Sequence, residues 1–223
     1  MKYEVLEQIV EQIKKNSAES ADKVREAISA IVSAASPVWV TGDAKKLFEK
    51  LNEILESTGP TMESATEDTI KILENAYNSM LEAAGSESQR VSVSSAMQKI
   101  VLTVDVSSIK EYDGGILGST DELKNLIDLI VKKEQEIEET IKGYASTIQG
   151  LAADFFANIG SRNASIEEAV EDLYTRLLDA FAKLFHILNS DDESLTKAVQ
   201  TCIDKYDEAQ AAIANAVKGV SVN

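Results

Sequence analysis

The chain has few of the residues that interrupt or cross-link a fold. Its two prolines and ten glycines in 223 residues are too few for an all-β sandwich or barrel, which needs a turn about every eight to twelve residues. A single cysteine excludes an intrachain disulfide, and the apolar residues around Cys202 predict a small core side chain there. Because no apolar run reaches about eighteen residues, no membrane-spanning helix is expected. The first residues also lack the continuous apolar stretch of a cleavable signal peptide.

Basic residues are also scarce relative to acidic ones. Lysine and arginine total 22 against 38 aspartates and glutamates, which gives a net charge of −16. Such a chain repels phosphate backbones, so a nucleic-acid partner is not expected, and it gains nothing from anionic lipid head groups. The hydrophobic fraction of 44% is nonetheless ordinary for a folded protein.

Apolar residues recur at steps of three and four, which predicts an all-α protein. The first helix is expected to stop at Ser36-Pro37, since a proline disfavours helical angles in the residue before it. A second helix is predicted from about Asp43 to Ala84, because its apolar row keeps register across Gly59-Pro60. Pro60 then lies at an exposed kink in one helix, and the alternative is two shorter helices joined by a bend. Gly85 is a candidate C-cap.

The second half of the chain is predicted to follow the same plan. A helix starts at Ser119, a further helix is expected to open at Gly150, and an amphipathic helix fills the tail from Asp191. The intervening segment is ambiguous, since Val101–Val106 alternates like a strand and also fits a helix. The predicted ranges are 1–85 for a first helical hairpin, 86–118 for a linker, 119–189 for a second hairpin and 190–223 for a C-terminal helix, with the two hairpins packed as a four-helix bundle.

Residues that carry chemistry are sparse and do not cluster. His186 is the only histidine, and Lys183 stands where a Glu-x-x-His metal pair needs its glutamate. A nucleophilic pair of Cys202 with His186 has no third orienting group and no glycine-rich oxyanion loop. No phosphate-binding or dinucleotide-binding motif is present. We therefore expect a non-enzymatic protein with no catalytic, cofactor-binding or metal-binding residues and no cofactor.

One short pattern occurs at both predicted hairpin turns. The first copy is Gly42, Ala44 and Phe48, preceded by Trp39, and the second copy is Gly150, Ala152 and Phe156. Both copies are spaced G-x-A-x-x-x-F. Glycine allows the chain to reverse, alanine lets two helix backbones approach, and the aromatic ring closes the end of the core. Simple helix–turn–helix packing is the alternative explanation for this pair of motifs.

A helical hairpin with tryptophan beside the turn glycine resembles the WXG-type, early-secreted-antigen-like proteins of type VII secretion. The resemblance covers about residues 3–84 and, more faintly, 119–189, so the chain looks like a tandem of two such units. Trp39 lies three residues before Gly42, whereas the family has two, and the second unit has no tryptophan. The family's Tyr-x-x-x-Asp/Glu export signal is also not matched at Tyr206, which is followed by Gln210.

The resemblance implies a secreted or cell-surface protein without a cleavable signal peptide. Its partner would be another helical protein or the secretion machinery, and the chain is a possible homo-oligomer. A helical membrane-acting toxin component is the alternative function, and the cytoplasm is the alternative location. Trp39 has two possible roles: a buried ring that closes the bundle end, which we favour, or an exposed ring in a partner-binding cleft.

Overall fold

The computed structural model describes residues 3–39, 41–86, 90–110, 118–159, 164–190 and 192–219. The helices are α1 (Tyr3–Ala35), α2 (Gly42–Ala83), α3 (Thr120–Ile159), α4 (Ala164–Phe185) and α5 (Leu195–Gly219), with a π-helical turn (His186–Ser190) directly after α4. No β-strand occurs within these described ranges, so the all-α prediction is confirmed. None of the described helices is long and apolar enough to cross a bilayer.

The chain divides into two compact units, each assembled from three segments. Unit 1 contains Met1–Glu26, Ile54–Thr103 and Ile137–Lys183, and unit 2 contains Ala27–Glu53, Val104–Glu136 and Leu184–Asn223. Because α1, α2 and α3 each contribute residues to both units, the units do not coincide with the sequence-predicted ranges 1–85, 86–118, 119–189 and 190–223.

Helix α2 is continuous through Pro60, as the unbroken apolar row predicted. At 42 residues, α2 is about 60 Å long at a rise of about 1.5 Å per residue. Pro60 is exposed, so the carbonyl of Glu56, which loses its helical N–H partner, is on a side of the helix open to water. The row on either side of the proline is fully buried and comprises Phe48, Leu51, Leu55, Met62 and Ala65.

The start of α3 is held by a capping box. The Glu122 carboxylate accepts hydrogen bonds from the Ser119 backbone N–H at 2.7 Å and from the Ser119 hydroxyl at 2.9 Å. In return the Ser119 hydroxyl accepts from the Glu122 N–H at 3.3 Å. The bonds that the Ser119 N–H and hydroxyl donate lower the pKa of Glu122, because they favour the ionised carboxylate.

This capping box makes the start of α3 sensitive to acid. A carboxyl group whose pKa is lower in the folded state stabilises the fold above its unfolded pKa, and that contribution is lost as the pH falls through the folded pKa. Glu122→Gln is therefore expected to lower the free energy of unfolding at about pH 7, with a difference from the parent that shrinks by about pH 3. Urea unfolding of both proteins at the two pH values measures this. A difference that does not depend on pH would contradict it.

The end of α2 is closed by the predicted glycine C-cap. Gly85 has a φ of +72°, in the left-handed region. The Ser86 N–H donates to the Leu81 carbonyl at 2.8 Å, and the Gly85 N–H donates to the Glu82 carbonyl at 3.0 Å. These two bonds form a Schellman motif, which satisfies carbonyls that the helix itself leaves unpaired.

Gly85→Ala is expected to destabilise the protein by about 1 kcal/mol, because an L side chain is strained at a positive φ. No heavy atom lies within 4 Å of the added Cβ, so the expected cost comes from the backbone conformation alone. Gly143→Ala is the matched control, because Gly143 also has open space but lies inside α3. Chemical denaturation measures both variants, and equal free energies of unfolding for Gly85→Ala and the parent would contradict the strain.

The prediction that a turn lies at Gly150 is wrong, because α3 runs through this residue to Ile159. Ile148, Ala152 and Phe155 are all buried, and their steps of four and three keep helical register across the glycine. A single glycine costs a helix only about 1 kcal/mol relative to alanine, which the packing of this row outweighs. The next helix starts at Ala164, fourteen residues after Gly150.

This boundary also removes the internal repeat that the second turn suggested. A repeat of the same plan requires a counterpart of α2 that opens at Gly150, but the residues of that predicted helix are divided between α3 and α4. Periodic apolar rows align by chance, and only the turn residues distinguished a repeat from such an alignment. The first and second halves therefore differ in the lengths of their helices.

A small polar cluster lies in the core of unit 1. The hydroxyl oxygen of Thr66 is 2.6 Å from that of Tyr144 and 3.2 Å from that of Ser17, and the Thr66 hydroxyl donates to the Met62 carbonyl at 2.8 Å. Burial raises the pKa of Tyr144, since the phenolate would be desolvated. The cluster joins α1, α2 and α3 where the apolar stripe of α1 is interrupted by serine.

Candidate functional site

The first motif forms a buried aromatic contact in unit 2. The turn after α1 is fixed by the Ala35 carbonyl, which accepts from the N–H groups of Val38 at 3.1 Å and Trp39 at 2.8 Å. The Trp39 side chain is 1% exposed and meets Phe48 edge-to-face, with ring centroids 5.9 Å apart and planes at 62°. Ala44 is also fully buried. Gly42 is the first residue of α2, and its burial lies outside the described part.

These positions favour the structural role of Trp39. An aromatic ring exposed for a partner is not compatible with its 1% exposure. The indole N–H is buried, and no described residue offers it an acceptor in hydrogen-bonding geometry. Cys202 lies beside the indole: burial raises the pKa of the thiol, an effect that its interaction with Trp39 partly offsets. A thiol with a raised pKa remains protonated at neutral pH and is a poor nucleophile.

The second motif has a different environment in unit 1. Gly150 is exposed within α3, with no atom within 4 Å of an added Cβ, whereas Ala152 is buried. The side chain of Phe156 lies outside the described part. Its neighbour Phe155 is fully buried and contacts Tyr77, with ring centroids 6.1 Å apart. The two G-x-A-x-x-x-F motifs therefore belong to different units and are not equivalent turns.

A feature that the sequence analysis missed is an extended segment that runs antiparallel to α2 in unit 1. We call residues 90–103 the strap; they have neither helical nor strand structure. Its backbone N–H groups donate to three half-buried glutamates that share one face of α2. The pairs are Val93 with Glu74 at 2.9 Å, Met97 with Glu67 at 3.1 Å and Ile100 with Glu63 at 3.1 Å. These carboxylates replace the partners that a strand or helix would supply.

Side chains from two helices also bind the strap carbonyls. Asn78 of α2 uses both ends of its amide: its Nδ2 donates to the Val91 carbonyl at 2.8 Å, and its Oδ1 accepts from the Val91 N–H at 2.9 Å. On α1, the Tyr3 hydroxyl donates to the Ser92 carbonyl at 3.2 Å, and Arg25 donates to the Val101 carbonyl at 3.5 Å. Helix α2 thus supplies mostly hydrogen-bond acceptors to the strap, and α1 supplies donors.

Close packing against a glycine places the strap near the middle of α2. A Cβ added at Gly59 would lie 2.6 Å from the Ile100 carbonyl oxygen, so only glycine admits this approach. Val93, Ile100 and Leu102 are the buried side chains of the strap, and its other side chains are exposed or half-buried. Unit 1 therefore holds the strap through its main chain and three apolar anchors.

The sequence contains a signal for the groove, by which we mean the surface of α1 and α2 that holds the strap. Gly59 interrupts a helical apolar row, and a glycine inside a helix, which costs about 1 kcal/mol relative to alanine, can have a packing reason. Glu63, Glu67, Glu74 and Asn78 follow it at helical spacing on the same face. The strap itself lies within the 86–118 segment, whose sequence is ambiguous between strand and helix, and it forms neither. Tyr112 to Gly115, interpreted as a turn or linker, lie outside the described residues.

The C-terminal helix begins packed and ends exposed. Ser194 caps α5, its hydroxyl accepting from the Lys197 N–H at 3.3 Å, and Leu195, Val199 and Ile203 are buried in unit 2. Every residue from Asp204 to Ala216 is exposed, including Tyr206 at 38% and Ile213 at 57%. The apolar row of α5 therefore continues beyond the packed region, where its residues face solvent.

Among the residues described, no group of three or more histidine, cysteine, aspartate or glutamate side chains could hold a metal ion. His186 lies at the start of the π-helical turn. Later in that turn, the Asn189 amide donates to Glu134 at 3.0 Å and accepts from Thr196 at 3.0 Å. The turn thereby joins α3 to the start of α5 in unit 2. Comparison of the chain with protein-family models, curated proteins and solved structures finds no match.

Proposed function

We propose that this protein is a non-enzymatic, exported helical protein that acts by contacts with a protein partner and is similar to the WXG-type proteins of type VII secretion. The observation that carries the proposal is the buried contact of Trp39 with Phe48 at the turn between helices of 33 and 42 residues. The resemblance implies such an aromatic at the turn of a hairpin. In this proposal α1 and α2 form the WXG-like hairpin.

The second half of the chain has a different part in the proposal. With Gly150 inside α3, the likeness to the family rests on residues 3–84 and no longer on two matching turns. Helices α3 and α4 would form a second hairpin that packs on the first as a four-helix bundle. Because single hairpins of this kind leave one apolar face bare, a second hairpin in the same chain would cover it.

The exposed end of α5 supports action through helix faces. Every side chain from Asp204 to Ala216 is exposed, and Tyr206 and Ile213 lie on one apolar row of the helix. A helix that continues an amphipathic pattern beyond its packed region is suited to a groove or helix on a partner. The net charge of −16 favours a basic or neutral partner surface.

Export is tested with the full-length chain in a bacterium that has a type VII system. We expect the protein in the medium of the parent strain and not in that of a strain lacking the membrane-bound secretion ATPase. A cytoplasmic marker enzyme controls for lysis. Equal amounts in both media, or none in either, would contradict the proposal. Dye release from vesicles containing anionic lipid is measured in parallel, and release would favour the membrane-acting toxin instead.

A further inference from the structure

We propose that the groove of unit 1 occupied by the strap is a binding site for an extended polypeptide, and that a partner's segment takes the place of the strap. The site is bounded by α2, with Gly59 and the three glutamates, and by Tyr3 and Arg25 of α1. This inference goes beyond the proposed function and does not depend on export, since it concerns only what the groove recognises.

Recognition in this groove is directed at the main chain. Glu63, Glu67 and Glu74 accept backbone N–H groups, whereas Tyr3 and Arg25 donate to backbone carbonyls. Both kinds of backbone group are present in every extended polypeptide that lacks proline at the donor positions. None of these hydrogen bonds requires a side chain of the strap. A foreign segment in the same direction satisfies all of them.

The anchors and the charge of the groove specify the class of segment. Ile100 and Leu102 are buried two residues apart, and Val93 is buried seven residues before Ile100. The strap contains no aspartate or glutamate, although the whole chain carries 38 of them, and its charged residues are Arg90 and Lys99. Charge complementarity to the acidic face of α2 requires a partner segment without acidic residues. The buried anchors require that this extended segment carry two large apolar residues in an i, i+2 pair.

The strap is suited to be displaced because little apolar surface holds it. Three of its side chains are buried, while Val101 is 46% exposed. Segments with few buried apolar contacts and hydrogen bonds near solvent open locally at a small fraction of the global free energy of unfolding. Its attachment within the chain gives the strap an effective concentration of about a millimolar, against which a partner must compete. Weakening the strap should therefore expose the site without altering the groove.

The experiment uses a fluorescein-labelled peptide of residues 90–104 as the probe, titrated into full-length protein and followed by fluorescence anisotropy. Ile100→Ser with Leu102→Ser removes two strap anchors and leaves both groove walls unchanged. We expect the peptide to bind this double variant about 100-fold more tightly than the parent. Gly59→Ala added to the double variant should weaken binding at least about tenfold, because the new methyl group occupies the place of the Ile100 carbonyl.

Two control peptides separate main-chain recognition from general stickiness. A peptide N-methylated at Met97 and Ile100 keeps every side chain but lacks two N–H donors, and we expect it to bind at least about tenfold more weakly. A scrambled peptide of the same composition should bind weakly too. Equal binding of the parent and double variant, or of the plain and N-methylated peptides, would overturn the proposal.

Hydrogen exchange of the unmodified protein keeps the proposal testable if the double variant fails to fold. The amides of Val93, Met97 and Ile100 are expected to exchange at least about tenfold faster than those of Ile70 and Leu73 in the buried part of α2. Exchange of the strap as slow as that of α2 would show that the strap opens only when the protein unfolds, and would overturn its role as a displaceable occupant.

Discussion

Replacing Trp39 with alanine is expected to lower the free energy of unfolding by about 3–5 kcal/mol. The ring is 1% exposed and makes an edge-to-face contact with Phe48, so its loss removes apolar burial, an aromatic pair and the filling of a core site. The main-chain bonds of Val38 and Trp39 to the Ala35 carbonyl hold the turn and prevent the chain from simply collapsing into the cavity. Thermal or urea unfolding of the variant measures the effect.

Tyr206→Ala is the matched control for this experiment. Tyr206 is an aromatic residue of unit 2 as well, but it is 38% exposed on α5, and its removal should change the free energy of unfolding by at most about 0.5 kcal/mol. A Trp39→Ala protein that melts within about a degree of the parent would contradict the structural role of the ring. The single tryptophan also makes the parent's fluorescence a local probe of this turn.

Gly59→Ala is expected to destabilise the protein by about 2 kcal/mol, even though alanine is the better helix former by about 1 kcal/mol. The added Cβ would lie 2.6 Å from the Ile100 carbonyl oxygen, and this atom belongs to backbone that cannot move without loosening the strap. We expect the strap amides to lose protection from hydrogen exchange before the rest of unit 1 does. Urea unfolding and exchange of the same variant measure the two effects.

Gly150→Ala is the control for Gly59→Ala, because a Cβ added at Gly150 meets no neighbouring atom. Gly150 lies inside α3 with no atom within 4 Å of an added Cβ, so alanine should stabilise the protein by about 0.5–1 kcal/mol. The two glycine substitutions are thus expected to have opposite signs. A stabilising effect at Gly59 would mean that the strap is not seated against α2 as described.

The helical class and several helix ends were predictable because they depend on local pattern. The apolar row through Pro60, the helix start at Ser119 and the Gly85 C-cap each combine residue type with position, and the structure confirms all three. Gly150 was misinterpreted because glycine is typical both of a turn and of a tolerated helix interior. The buried row from Ile148 to Phe155 decides between the two, and it becomes decisive only when the helix has neighbours to pack against.

The candidate site was predictable only in part, since its key contacts are distant in sequence. The apolar character of Trp39 and Phe48 indicated a joint core position, and the structure brings them together. The strap could not be inferred in the same way, because Glu74 and Val93 are 19 residues apart, and carboxylates on a helix ordinarily face water. The spacing of the strap residues does not indicate that their N–H groups donate hydrogen bonds to glutamate side chains of α2.

The way the strap is held has a consequence for how this sequence can change over generations. Since α2 and α1 bind strap backbone atoms, substitutions at exposed strap positions such as Ser94, Ala96 and Gln98 leave every described strap hydrogen bond in place. Gly59 and the glutamates have no such freedom. Descendants of this protein are therefore expected to vary freely along the outer side of residues 90–103 while keeping the helix residues beneath them, so that surface identity diverges faster than architecture.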